Sequence, residues 1–231
     1  MKVVDLSLDI KPHGRWKVEI TKGPSTLDKG DVYEETSIKL GSHCYTHIDA
    51  PRHHFPEGRH MEDVPWDWLV GEAAVLNLSY KKDNEQITAQ DLARAATHVR
   101  RGDKIILLRS DRELRYAIDT PEFFSTFAYL TRDAAEWLVE QGLKTIGYDF
   151  PGDYVLRDLG RRSPQADEFY THRIILGNDM IQVEFLTNLH KITQHRTFVV
   201  VLPLKLLGSH DGAPCRVIAI EDWKDGQAAD R

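Results

Sequence analysis

The segment Gly41-Ser-His-Cys-Tyr-Thr-His-Ile-Asp-Ala-Pro-Arg-His-His54 constrains this chain more than any other. His43, His47, Asp49 and His53 all fall on odd positions. Side chains of an extended chain alternate from face to face, so an unbroken strand would turn all four to one side. A helix would align His43 with His47 but not His47 with Asp49, and Pro51 opposes a helix there. A strand face so rich in imidazole is costly to bury unless something coordinates or hydrogen-bonds it. Neutral imidazole with carboxylate is a ligand set for Zn2+, Mn2+ or Fe2+, with no thiolate required. A lone histidine is ordinarily a satisfied core or surface residue, which suits His13, His98, His190 and His195. Three histidines and an aspartate in phase are harder to produce that way. Cys44 is out of phase and reads as a packed thiol; His54 and His60 read as residues around such a site or on the surface.

The rest of the chain supplies a frame for that segment. Thr88 is placed to cap a helix with apolar positions Leu92, Ala95, Ala96 and Val99, and Asp91 can complete a capping box. Gly102 ends it, and Lys104–Leu108 reads as a buried strand. The pattern recurs: Thr131 or Asp133 caps a helix through Ala134, Ala135, Leu138 and Val139, Gly142 ends it, and the strand 145–148 comes next. Further strands are expected at 3–8, 36–40, 73–78, 180–185, 197–202 and 216–220. Strands outnumber helices, so a mixed, β-rich α/β domain is expected rather than a doubly wound nucleotide-binding sheet. No glycine-rich phosphate loop opens a helix, and no Gly-x-Ser-x-Gly elbow is present.

Composition removes other classes. The 231 residues are within reach of one domain spanning 1–231, with core enough to fold without staples. A net charge of −6 argues against affinity built on phosphate neutralisation, so no nucleic-acid partner is expected. Two cysteines make no disulfide framework. Neither a signal-peptide apolar run nor a membrane-spanning stretch is visible, so a cytoplasmic protein without a membrane partner is expected. The charged tail after Ile220 is expected to fray.

The pattern His43-x-x-x-His47-x-Asp49-x-Pro51-x-His53 resembles the signature of the cyclase-type metal-dependent hydrolases, the group containing bacterial kynurenine formamidase and isatin hydrolase. Thr171-His172, twelve residues before Glu184, resembles the family's second metal-binding pair. Gly147-Tyr-Asp-Phe-Pro151, Val201-Leu-Pro-Leu-Lys205 and Asp211-Gly-Ala-Pro-Cys-Arg-Val217 are similar to its loop, C-terminal strand and turn. Together these stretches cover most of the chain from Asp5 onward. The resemblance implies the swivelling β/β/α fold of these hydrolases. It implies a first metal site of His43, His47, Asp49 and Glu184, and a second of Asp49, His172 and Glu184. His53 would match the proton-transferring histidine, and Trp16 an aromatic substrate contact. Without the resemblance, His172 and Glu184 could be surface positions, although Glu184 in an otherwise apolar strand needs a partner.

A metal-dependent amidohydrolase is therefore expected, with roughly one or two Zn2+ or Mn2+ per chain. Its substrate would be a small aromatic or cyclic amide, as in aryl-formamide cleavage or lactam and imide ring opening. The alternative is a metal-stabilised binding or scaffold protein without turnover. Three departures from the family bear on the pocket. Tyr45-Thr46 replaces a small pair, so Tyr45 could line the pocket or report a different backbone path. Pro151-Gly-Asp-Tyr154 replaces a Ser- and Asp-bearing continuation. The segment 154–169 reads as a specificity or oligomer loop, or as a solvated excursion. A homodimer or homotetramer is expected by resemblance, with Trp66, Trp68, Phe123, Phe124, Phe127 and Tyr129 available either for an interface or for the core.

Overall fold

The computed structural model describes residues 1–223. Its strands, in chain order, are β1 (Lys2–Asp5), β2 (Glu19–Lys22), β3 (Thr36–Lys39), β4 (His47–Asp49), β5 (Val70–Asn77), β6 (Gln86–Ile87), β7 (Ile105–Arg109), β8 (Tyr129–Leu130), β9 (Thr145–Tyr148), β10 (Ile181–Glu184), β11 (Arg196–Pro203) and β12 (Gly212–Glu221). The helices are α1 (Trp66–Leu69), α2 (Ala89–Ala95), α3 (Arg112–Arg115), α4 (Arg132–Glu140) and α5 (Tyr170–Gly177). Eight strands form one sheet in the order β1-β12-β11-β5-β7-β9-β10-β4, and β4 also pairs with β12. That second pairing closes the sheet into a barrel, which removes the open edge beside β4.

Alternation within the central strands explains the layers. Ile105 and Leu107 of β7 face one apolar cluster with Val75, Val183, Ile48 and Ala213. Ile106 and Leu108 face the other, beneath Leu92, Ala134, Ala135, Leu138 and Ile175 of α2, α4 and α5. The parallel strands β5, β7, β9 and β10 are thus covered on both faces, as parallel strands ordinarily are.

The helix signals work as chemistry. Thr88 accepts from the Asp91 amide while the Asp91 carboxylate accepts from the Thr88 amide, which closes the capping box. The helix stops at Ala95, so Val99 packs from the turn beyond it. Thr131, not Asp133, is the N-cap of α4; Asp133 instead accepts the Ala89 amide across the helix pair. Gly102 and Gly142 both adopt positive φ.

Two expectations need correction. The strand expected at 36–40 is present as β3, but it pairs only with β2 in a separate exposed hairpin. The frayed end expected after Ile220 does not start there, because β12 continues through Glu221, which is buried and satisfied. The remainder of that tail, 224–231, lies outside the described residues. Among the described residues, no helix is long and apolar enough to cross a membrane.

Candidate metal centre and active site

The four odd-numbered residues converge, but not along one strand. Only His47 and Asp49 lie in β4. Tyr45, at φ 54°, breaks the extended path before it, and Pro51 opens a 3-10 turn after it that carries His53. His43 therefore reaches the site from a turn and His53 from a helical turn, and their rings stack at 3.8 Å. Register completes the floor. β10 pairs antiparallel with β4, with Glu184 opposite His47. His172 comes from the first turn of α5, a helix that the sequence pattern does not announce.

The distances define two adjoining ligand sets that share Asp49. Potential ligand atoms of His43, His47 and Asp49 lie within 4.8 Å of one another, as do those of Asp49, His172 and Glu184. His43 Nδ1 is 2.6 Å from Asp49 Oδ1, and His47 Nε2 is 3.1 Å from the same oxygen. His172 Nε2 lies 3.1 Å from Glu184 Oε1 and 3.3 Å from Asp49 Oδ2. His47 Nε2 is 3.7 Å from Glu184 Oε2.

These residues fit a divalent ion by their own chemistry. Asp49 Oδ2 is buried and takes no hydrogen bond, although His172 stands close to it. An unsatisfied buried carboxylate oxygen is costly unless a cation or donor meets it. Each imidazole is turned by a bond on its far side, an arrangement that aims the other nitrogen inward. The His47 Nδ1 is 2.8 Å from the Tyr45 carbonyl, that of His172 is 2.5 Å from Asp153, and His43 Nε2 is 2.7 Å from Asp211. The Tyr148 hydroxyl donates to Glu184 Oε1 at 2.8 Å.

The local fields are strong. Burial alone would favour neutral imidazole at His43, but Asp49 and Asp211 outweigh it and raise its pKa to about 9. At His172, burial is likewise overcome by Glu184, Asp153 and Asp49, and the pKa stands well above its ordinary value. Burial opposes ionisation of Asp49, yet His47 and His43 hold its carboxyl well below the usual range. His53 behaves oppositely: burial, helped by His43 and His172, lowers it to about 4. It is left neutral, at the mouth of the ligand sets.

Above this floor opens a cavity of about 860 Å³. Trp16, Phe124 and Phe185 wall it; Trp16 lies 5.7 Å from Phe124 and 5.4 Å from Phe185 between ring centroids. His13 packs on Trp16 from outside the cavity, tilted, with ring centroids 4.9 Å apart. Tyr45 does not line the cavity. Its left-handed backbone turns the ring inward beneath Trp16, 4.5 Å away, where it is fully buried and its hydroxyl donates to the Lys11 carbonyl. The segment 154–169 does reach the cavity, through Leu156, Arg157, Leu159, Gly160, Arg161 and Phe169. Cys44 packs with Val18 and Tyr45 as a buried thiol, and His60 stays outside, its ring tilted against that of His210. Of the six aromatics available for an interface, Trp68, Phe123, Phe124 and Phe127 are buried within the chain, whereas Trp66 is exposed.

The Cyclase family model matches residues 4–152. Cyclase-like protein 1 of Arabidopsis thaliana is 32% identical over 203 residues, spanning 85% of this chain and 73% of that protein. The chain belongs to the Cyclase family. Another relative in it is a kynurenine formamidase of Erythrobacter litoralis, 26% identical over 196 residues, with 84% of this chain and 81% of that protein covered. A solved structure described as a potential metal-dependent hydrolase with cyclase activity superposes with a TM-score of 0.69 at 27% identity, covering 94% of this chain and 96% of that one. Isatin hydrolase A from Labrenzia aggregata shares the fold, with a TM-score of 0.76 at 21% identity and coverage of 94% and 93%. The expected cyclase-type fold is therefore the one observed.

Sequence reasoning assigned no role to Asp153, Asp211, Tyr148 or Arg15. Asp211 and Tyr148 lie inside family-like stretches, which was the available signal. Asp153 sits at the departure after Pro151, and nothing local marks Arg15. His54 lines the cavity, its ring 5.2 Å from that of His172.

Proposed function

We propose that this chain is a metal-dependent amidohydrolase that cleaves the C–N bond of a small aromatic or cyclic amide. One observation carries the reading: Asp49, buried and with an orphaned oxygen, is shared by two imidazole–carboxylate ligand sets at the bottom of an aromatic-walled cavity. The names of the formamidase relatives and the isatin hydrolase neighbour support the same class.

His43, His47, Asp49 and Glu184 would hold one divalent ion, and Asp49, His172 and Glu184 a second. When bound, such an ion supplies a water of lowered pKa and polarises the carbonyl under attack. The chain's own groups do the rest. His53, neutral and lining the cavity, can take a proton at a ring nitrogen and return it to the leaving nitrogen. Its stack on His43 fixes the plane in which that ring moves. Trp16, Phe124 and Phe185 can hold a flat ring and exclude water from the bond being cleaved. Tyr148 and Asp153 keep Glu184 and His172 in their inward orientations.

The test is hydrolysis by metal-loaded protein of a panel of aryl formamides, isatin-like lactams and cyclic imides. Turnover is expected on at least one class, and His53→Ala should lower kcat by about a hundredfold or more while leaving metal content unchanged. Absence of turnover across the panel with metal bound would favour a non-catalytic metal-stabilised binding protein.

A further inference from the structure

Arg15 lines the cavity beside Trp16. Its guanidinium carbon lies 4.4 Å above the Phe124 ring, and its one hydrogen bond is a long donation to the Leu156 carbonyl at 3.4 Å. It pairs with no carboxylate among the described residues. Other arginines of the chain do: Arg59 with Asp179, Arg109 with Asp111, Arg112 with Asp83, Arg196 with Asp103. Burial works against the charge of Arg15, and Glu184 opposes that effect from the floor. A half-buried guanidinium with its fork unused is costly to keep unless a ligand fills it.

The surroundings narrow what that ligand is. The acidic side chains on the cavity lining are Asp49 and Glu184, both committed to the floor. The other arginines on the lining are Arg157 and Arg161, carried by the segment 154–169 that Arg15 touches at Leu156. Arg157 is engaged with Asp158, whereas Arg161 is exposed. The wall beside Arg15 is aromatic, so a planar ring seated against Trp16 and Phe124 presents its substituents to that guanidinium. A planar fork matches a carboxylate.

We infer that the substrate is an aromatic amide carrying a carboxylate, bound with its ring against Trp16 and Phe124, its carboxylate on Arg15 and its amide over the metal ligands. This rests on the hydrolase reading above and sharpens it. Arg15 is then the specificity-determining residue, and a neutral lactam would leave its guanidinium desolvated and unpaired.

The experiment compares formanilide with 2-, 3- and 4-formamidobenzoate on metal-loaded wild type, Arg15→Gln and Arg15→Lys. Wild type is expected to prefer at least one carboxylated isomer. Arg15→Gln should lose about tenfold to a hundredfold in kcat/KM on that isomer, chiefly through KM, with formanilide unchanged. Arg15→Lys should recover part of the loss, because it restores charge but not the fork. Hydrolysis with an anionic-to-neutral ratio unchanged in Arg15→Gln would overturn the inference and leave the hydrolase reading standing. A second measurement separates the two claims: binding of the matching aminobenzoates, monitored by quenching of Trp16 fluorescence against a Trp16→Phe control. Arg15-dependent binding without turnover would uphold the carboxylate site and sink the aryl-formamide form of the hydrolase reading; equal binding by wild type and Arg15→Gln would sink the carboxylate site.

Discussion

Asp153 grips His172 twice. One carboxylate oxygen accepts the His172 amide and lies 2.5 Å from its Nδ1, while the other accepts the Thr171 amide at 2.7 Å. The same group therefore caps the start of α5 and fixes the tautomer and plane of the imidazole. Asp153→Asn keeps the shape but replaces one acceptor oxygen by a donor. Metal affinity should fall by about tenfold to a hundredfold, read by competition with a chelator of known affinity. An affinity equal to wild type would show that His172 needs no such support.

Gly152 sits where a side chain has no room. A Cβ there would lie 2.5 Å from the Tyr148 hydroxyl and 3.2 Å from Glu184 Oε1. Tyr148 is fully buried and cannot swing aside. Gly152→Ala should cost about 1–3 kcal/mol and weaken metal retention together, because the strain falls on the Tyr148–Glu184 bond. Denaturant unfolding and elemental analysis read the two effects. Loss of stability with full metal retention would detach Gly152 from the site.

Glu221 should govern part of the acid sensitivity. Burial opposes its charge, but Lys2, the Thr193 side chain and the Thr193 and Gln194 amides outweigh it and lower its pKa from 4.5 to about 2. A folded-state pKa below the unfolded value stabilises above about pH 4.5, and that stability is lost as pH falls toward about 2. Glu221→Gln should lower stability at pH 7 and flatten its decline between those limits, as measured by denaturant midpoints across pH. Parallel pH curves for variant and wild type would contradict the assignment.

Much of this arrangement was legible before folding, and the rest was hidden for physical reasons. Alternating apolar strands and the Thr88–Asp91 box are local signals, and both produce the elements they imply. The odd-position pattern of His43, His47, Asp49 and His53 pointed to convergence by an extended strand. Convergence is found, but backbone turns at Tyr45 and Pro51 deliver it. Of the two readings of Tyr45, the different backbone path is the one observed: its left-handed φ turns the ring under Trp16 and away from the cavity. Phe185, also at positive φ, enters the cavity directly after Glu184, where strand alternation turns it away. Asp153, Asp211 and Arg15 act across 19, 168 and 141 residues of separation, on His172, His43 and Leu156. Such partners are set by tertiary packing, and no periodicity announces them.

The central claim is that the shared Asp49 centre holds metal, and metal content tests it most directly. Elemental analysis of protein purified without chelator should find about one or two divalent ions per chain. His47→Ala should lose most of that metal, and His172→Ala should lose at least the share held with Glu184. Metal-free wild type, or a His47→Ala variant with undiminished content, would contradict the account.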